Sequence, residues 1–173
     1  LSPFLFLISI AVKISSSGPI FFGQERVGLD GKKFKMWKFR SMRMAESPEE
    51  ATEWSNRNNP RKTKVGDFLR KTSLDELPQL WNVICGDMSL VGPRPEQPYF
   101  VEKFRHDIPG YMLKHKMKPG ITGWAQINGW RGDTDLAKRI ECDIYYIKNW
   151  SIWLDFKILF LTLWKGFIHK NAY

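Results

Sequence analysis

The stretch Arg70 to Glu76 (RKTSLDE) sets two adjacent carboxylates just after two cations. An ionised Asp can attack phosphorus and form an acyl phosphate. A divalent ion, characteristically Mg2+, bridges carboxylate and phosphate oxygens in such a site. Arg70 and Arg94 could hold phosphate oxygens with their forked donors. Ser73 followed three residues later by Glu76 is a capping box, so a helix is expected to start here. Asp75 and Glu76 would then lie in its first turn, at the positive end of the helix dipole, where backbone N–H groups also suit phosphate. Pro78 makes that start irregular or moves the regular helix to begin there. The same spacing also serves plain helix capping with no chemistry, and from the residues alone both readings stand.

Two further segments could serve the same anion. In Gly86 to Pro95 (GDMSLVGPRP), two prolines pin Arg94 on a stiff loop, which lowers the entropy lost on gripping an anion. Lys32 to Arg43 carries six Lys or Arg in twelve residues. It suits anionic lipid, substrate phosphate, or an RNA backbone with Trp37 and Phe39 stacking bases. Asp133-Thr134-Asp135 could hold a metal against a sugar nucleotide, but no apolar strand presents it, and it reads as the N-terminal cap of a helix from Leu136. His106, His115 and His169 have no metal-ligand spacing, and neither a P-loop nor a dinucleotide fingerprint is present.

The elements that must position these residues follow from pattern. Pro3 to Val12 is ten uncharged residues, about 15 Å as a helix against a bilayer core of roughly 30 Å. The chain opens on Leu1, just before this run, which reads as a core helix, a re-entrant segment or the second half of something longer. Ser15 to Pro19 breaks it. Short strands are expected at Ile20 to Phe22 and Phe34 to Met42, with a turn at Gly28 to Gly31. Met44 to Asn59 reads as a loose, mobile helix and loop. Met88 to Pro98 is expected to be a loop, Gln97 to His106 a short helix, and Met117 to Thr134 loop or short strand; Leu136 to Trp150 has helical character. On a helix, Trp150 to Ile168 gathers Ser151, Asp155, Thr162, Lys165, Gly166 and, just beyond, His169 in one arc, with apolar residues over most of the rest. That pattern fits a helix lying in a membrane interface, with a core helix as the alternative.

Composition bounds the answer. The 173 residues carry 27 Lys+Arg against 18 Asp+Glu, a net charge of +9, so an anionic partner is expected: nucleic acid, phospholipid or a phosphorylated substrate. With 43% hydrophobic residues the chain is not of a disordered class, and two cysteines make no disulfide framework. A mean hydropathy of −0.37 excludes a polytopic membrane protein.

Lys71 to Pro95 (KTSLDELPQLWNVICGDMSLVGPRP) resembles the bacterial sugar transferases, the monotopic phosphoglycosyl transferases that begin polysaccharide assembly. Gly18 to Gly28, Phe34 to Met42, Lys118 to Gly129 (KPGITGWAQING) and Lys165 to Tyr173 resemble further blocks of that family. The resemblance implies transfer of a sugar-1-phosphate from a UDP-sugar to undecaprenyl phosphate with release of UMP. It implies Asp75 as nucleophile, Glu76 assisting in a carboxylate site for Mg2+, and Arg70 and Arg94 near the dyad. Lys38 and Arg40 are weaker substrate-binding candidates. The implied fold is α+β, mainly helical with a few short strands and interfacial amphipathic helices. Residues 1–17 would form the truncated second half of a re-entrant membrane helix broken at Ser2-Pro3, and residues 18–173 the catalytic domain. The expected setting is the cytoplasmic face of the bacterial inner membrane, among membrane lipids and with no nucleic acid, a state compatible with an oligomer. The ending block with GWRGDTDLAKRI points to glucose- or galactose-1-phosphate, with UDP-glucose preferred. The rivals are a nucleic-acid-binding module, a membrane scaffold without chemistry, and a metal-dependent glycosyltransferase using Asp133 and Asp135.

Overall fold

A computed structural model describes residues 2–44, 59–132 and 134–166. The expected mobile segment at Met44 to Asn59 falls almost wholly outside these residues, as do Asp133, His169 and the last block. The described residues form an α+β arrangement, mainly helical with four short strands, divided into two compact units.

Unit 1 holds residues 2–22, 38–44 and 59–78. Its first helix, α1 (Ser2–Ser15), is followed by the expected Ser-Gly-Pro break. Helix α2 (Lys64–Lys71) starts at Thr63, whose hydroxyl accepts from the backbone N–H of Gly66 at 2.9 Å. Ile8 and Val12 of α1, Leu69 of α2 and Phe39 make the buried core, flanked by Ile20, Leu74 and Leu77. Gly66 permits the approach of α2 to Ser41, whose carbonyl occupies the place of a Cβ. The outer face of α1 leaves Phe4, Phe6, Leu7, Ile10 and Ile14 exposed.

A two-stranded sheet pairs β1 (Phe21–Val27) with β2 (Lys33–Phe39). β1 runs five residues beyond the expected strand at Ile20 to Phe22.

Unit 2 holds residues 23–37, 79–132 and 134–166. In order it contains α3 (Gln79–Ile84), β3 (Ser89–Val91), α4 (Pro98–Phe104), a 3-10 stretch Tyr111–Lys116, β4 (Gly120–Thr122), α5 (Trp124–Ile127), α6 (Leu136–Lys148) and α7 (Ile152–Gly166). β3 and β4 pair in parallel, Ser89 opposite Gly120 and Val91 opposite Thr122. β3 lies inside a segment expected to be loop, where three residues are too few to show a period; β4 lies in Met117 to Thr134, expected to be loop or short strand. Asp135 caps α6, accepting from Lys138 N at 3.2 Å, as expected. One core joins Val27, Val101, Tyr111 and Ile140; a second joins Val91, Ile127, Tyr146 and Ile158.

Helix α7 buries Ile158 in the second core and turns two polar side chains to its neighbours: Asp155 accepts from Tyr146 Oη at 2.7 Å, and Thr162 shares a hydrogen bond with Thr122 at 2.7 Å. Outward stand Ile152, Trp153, Phe156, Phe160, Leu163 and Trp164, Trp153 being 78% exposed. No helix among the described residues is long and apolar enough to cross a membrane.

Candidate functional site

The helix expected to begin at Ser73 does not form there. After α2, Thr72 is still helical, but Ser73 takes a left-handed conformation, φ 57° and ψ 15°. Residues Leu74–Glu76 then make one 3-10 turn, closed by Glu76 N to the Ser73 carbonyl (3.2 Å) and Leu77 N to the Leu74 carbonyl (3.3 Å). Pro78 has no N–H to return to the Leu74 carbonyl, so an α-helix cannot run through this point. The regular helix, α3, starts at Gln79 and has only six residues.

The capping box therefore fails. An N-cap serine needs an extended backbone, and Ser73 at positive φ makes no side-chain capping bond. A helix dipole is also a minor source of positive potential here, because α3 is so short and begins after the dyad. What replaces it is burial and a cation. Asp75 and Glu76 are each only 6% exposed, and Lys38 Nζ stands 2.8 Å from Glu76 Oε1. Left-handed serine costs roughly 1–2 kcal/mol, stored two residues before Asp75. Arg70 is half-buried in the last turn of α2, and its carbonyl accepts from Ser73 N at 3.2 Å.

Arg40 is placed differently from Lys38. It is 4% exposed, and its guanidinium donates to the carbonyls of Ser16 (2.7 Å), Val12 (3.3 Å) and Ser17. Val12 is among the last carbonyls of α1, which lack an intrahelical partner, and Ser16 and Ser17 follow the helix end; the fork satisfies all three. Gly18 leaves the room, since a Cβ there would strike the guanidinium. These donors are thus engaged with main chain. Burial lowers the Arg40 pKa.

Arg94 belongs to unit 2. It is half-buried between buried Pro93 and Pro95 and lines a small recess with Gly28, Lys114 and His115. Sequence reasoning missed the charged groups around it. Lys114 Nζ lies 3.3 Å from Asp143 Oδ2 and 3.7 Å from Glu96 Oε1; Arg139 Nη1 lies 3.1 Å from the same Glu96 oxygen. Arg139 and Asp143, four apart on a helix, were the available signal. Asn82 was also missed: its side chain accepts from Trp37 N at 3.1 Å and donates to the Lys35 carbonyl at 2.8 Å.

Among the described residues no three His, Cys, Asp or Glu side chains cluster as a metal cage. Two neighbouring carboxylates nonetheless fit Mg2+, which takes one or two protein oxygens and completes its shell with water and phosphate.

The family model described as bacterial sugar transferase matches residues 1–169, and the chain belongs to that family. It is 58% identical to a UDP-glucose:undecaprenyl-phosphate glucose-1-phosphate transferase of Escherichia coli strain K12, over 100% of this chain and 38% of the relative. It is 47% identical to a protein of the same name from Xanthomonas campestris pv. campestris, over 99% of this chain and 36% of the relative. It is 46% identical to a UDP-N-acetylgalactosamine-undecaprenyl-phosphate N-acetylgalactosaminephosphotransferase of Aeromonas hydrophila, over 94% of this chain and 38% of the relative. The chain thus spans little more than a third of the length of these relatives.

Proposed function

We propose that this chain transfers a sugar-1-phosphate, preferentially glucose-1-phosphate, from a UDP-sugar to undecaprenyl phosphate and releases UMP. The observation that carries this reading is the buried Asp75-Glu76 pair, with Lys38 on Glu76, in a chain of this family. The reading is favoured over nucleic-acid binding and over a scaffold by relatives named for this transfer. UDP-glucose is preferred because two relatives named for it are 58% identical over the whole chain.

A carboxylate oxygen of Asp75 attacks the β-phosphorus of the UDP-sugar. The bond from that phosphorus to the bridging oxygen breaks, and UMP leaves with the electron pair. A phosphate oxygen of the lipid then attacks the same phosphorus. Asp75 departs as carboxylate, and the lipid diphosphate sugar is released. Lys38 Nζ, 2.8 Å from Glu76 Oε1, balances the charge of that carboxylate. Arg70 contacts phosphate beside the dyad, and Arg94 enters this reading through the family block and the stiffness of its loop. Asp75 and Glu76 would hold Mg2+, which neutralises phosphate charge when bound.

The chain acts at the cytoplasmic face of the bacterial inner membrane, as the outward apolar faces of α1 and α7 and the net charge of +9 suggest. Incubation with UDP-glucose, Mg2+ and undecaprenyl phosphate should release UMP, and rapid quenching should leave a hexose phosphate on Asp75. Release of UDP instead, or turnover with no adduct at Asp75, would overturn the mechanism.

A further inference from the structure

Three consecutive residues at the end of β2 are each held by a different part of unit 1. Lys38 Nζ meets Glu76 Oε1 at 2.8 Å. Phe39 is buried in the core with Ile8 and Val12 of α1 and Leu69 of α2. Arg40 grips the end of α1, its guanidinium donating to the carbonyls of Val12, Ser16 and Ser17. Its own backbone N–H donates to the Ile20 carbonyl at 2.9 Å. Leu74 and Leu77, which bracket Asp75 and Glu76 in the 3-10 turn, pack against the same core as Phe39.

Helix capping is a thin account of the Arg40 fork. Ser15 and Ser16 are half-buried and Ser17 is exposed, so carbonyls at this end of α1 can turn to water instead. Burying a guanidinium to serve them costs desolvation. It also demands a glycine at position 18, where φ is 117° and a Cβ would strike the guanidinium. Position offers a better account. Only Phe39, locked in the core, separates Arg40 from Lys38, so a shift of the strand end at Arg40 is felt where Lys38 meets Glu76. A catalytic pair keeps its geometry only when the side chains around it are themselves held.

We infer that Arg40 is a positioning residue: by fastening the end of β2 to the end of α1, it holds Lys38 on Glu76 and so fixes the carboxylate pair at which the nucleotide sugar reacts. This rests on the reading of Asp75 as nucleophile. Arg40 touches no substrate and moves no proton. Arg40→Lys keeps the charge and loses the planar fork, and one ammonium does not replace its three contacts.

The full chain in detergent micelles, mixed with UDP-glucose and Mg2+ without lipid acceptor and quenched rapidly, yields the Asp75 adduct with an amplitude and a rate constant. The amplitude counts folded enzyme, and the rate constant reads the geometry of the site. Arg40→Lys should slow adduct formation about tenfold and keep the amplitude. Lys38→Met should slow it as well. In that background Arg40→Lys should add less than about twofold, because the cation it places is gone. Gly18→Ala crowds the guanidinium with Arg40 itself unchanged, and should slow the step in the same way. An unchanged rate constant in Arg40→Lys or in Lys38→Met, a lost amplitude at an unchanged rate constant, or the full effect in both backgrounds overturns the positioning role. Wild-type enzyme that turns over with no adduct overturns the reading of Asp75, and the inference with it, so the two failures are told apart. If Arg40→Lys does not fold, Gly18→Ala carries the same cycle with the same outcomes. If neither folds, Arg40 is structural and the inference fails.

Discussion

Lys38 Nζ meets Glu76 Oε1 at 2.8 Å, tying the last residues of a basic strand to a carboxylate 38 positions later. The basic strand reads in sequence as a face for lipid, phosphate or RNA. One of its cations instead faces inward, to a group 93% buried at the side chain. Lys38→Met leaves that carboxylate without this cation. Removing one partner of a buried pair costs 3–5 kcal/mol, and the partly wet lysine lowers this to about 2 kcal/mol. Chemical unfolding should show that loss, and Lys38→Met with Glu76→Gln should recover most of it.

Asp75→Asn removes the nucleophile's charge with almost no change in volume. Turnover should fall by roughly a thousandfold or more, with the melting temperature little changed. UMP release and a thermal melt, run together, check both halves.

Gly66 lies against the Ser41 backbone, and a methyl group there has nowhere to go. Gly66→Ala should destabilise unit 1 by about 3 kcal/mol, read by denaturant unfolding.

His115 is buried beside Lys114; burial first, then that cation, depress its pKa from 6.5 to about 4. Between those values the unfolded chain binds a proton that the folded chain refuses. Stability therefore falls as pH drops through this window, by up to about 1.4 kcal/mol per pH unit. The difference between wild type and His115→Gln, measured from pH 7 to 4, isolates this contribution.

Trp153, Phe160 and Trp164 stand outward on α7. Replacing all three with Ser should cut partition onto anionic vesicles by about a thousandfold or more, at some 1.5 kcal/mol per ring, and leave the fold intact. Cosedimentation with vesicles containing phosphatidylglycerol measures this.

Legibility followed the length over which a signal repeats. Helices α1, α6 and α7 were readable because ten or more residues carry a period or a cap. From spacing alone Asp75 and Glu76 read as a helix cap as readily as chemistry, and the chemical reading came from the resemblance of the block around them. Their local structure was legible in part. Ser73 and Glu76 have the letters of a capping box, and the irregular start imposed by Pro78 was readable, but the left-handed Ser73 that undoes the cap was not. Arg40 reads the same as Lys38 in an alternating strand; only folding shows one satisfying α1 and the other reaching Glu76. The Glu96, Lys114, Arg139 and Asp143 network joins residues up to 47 apart, a distance no local pattern spans.

The exposed rings of helix α7 bear on how this chain behaves in a test tube. Stripped of amphiphile, that flank would shelter against a copy of itself, so clumping should grow with concentration and subside when micelles are supplied. The charge of +9 slows that encounter in dilute buffer and is muted by salt.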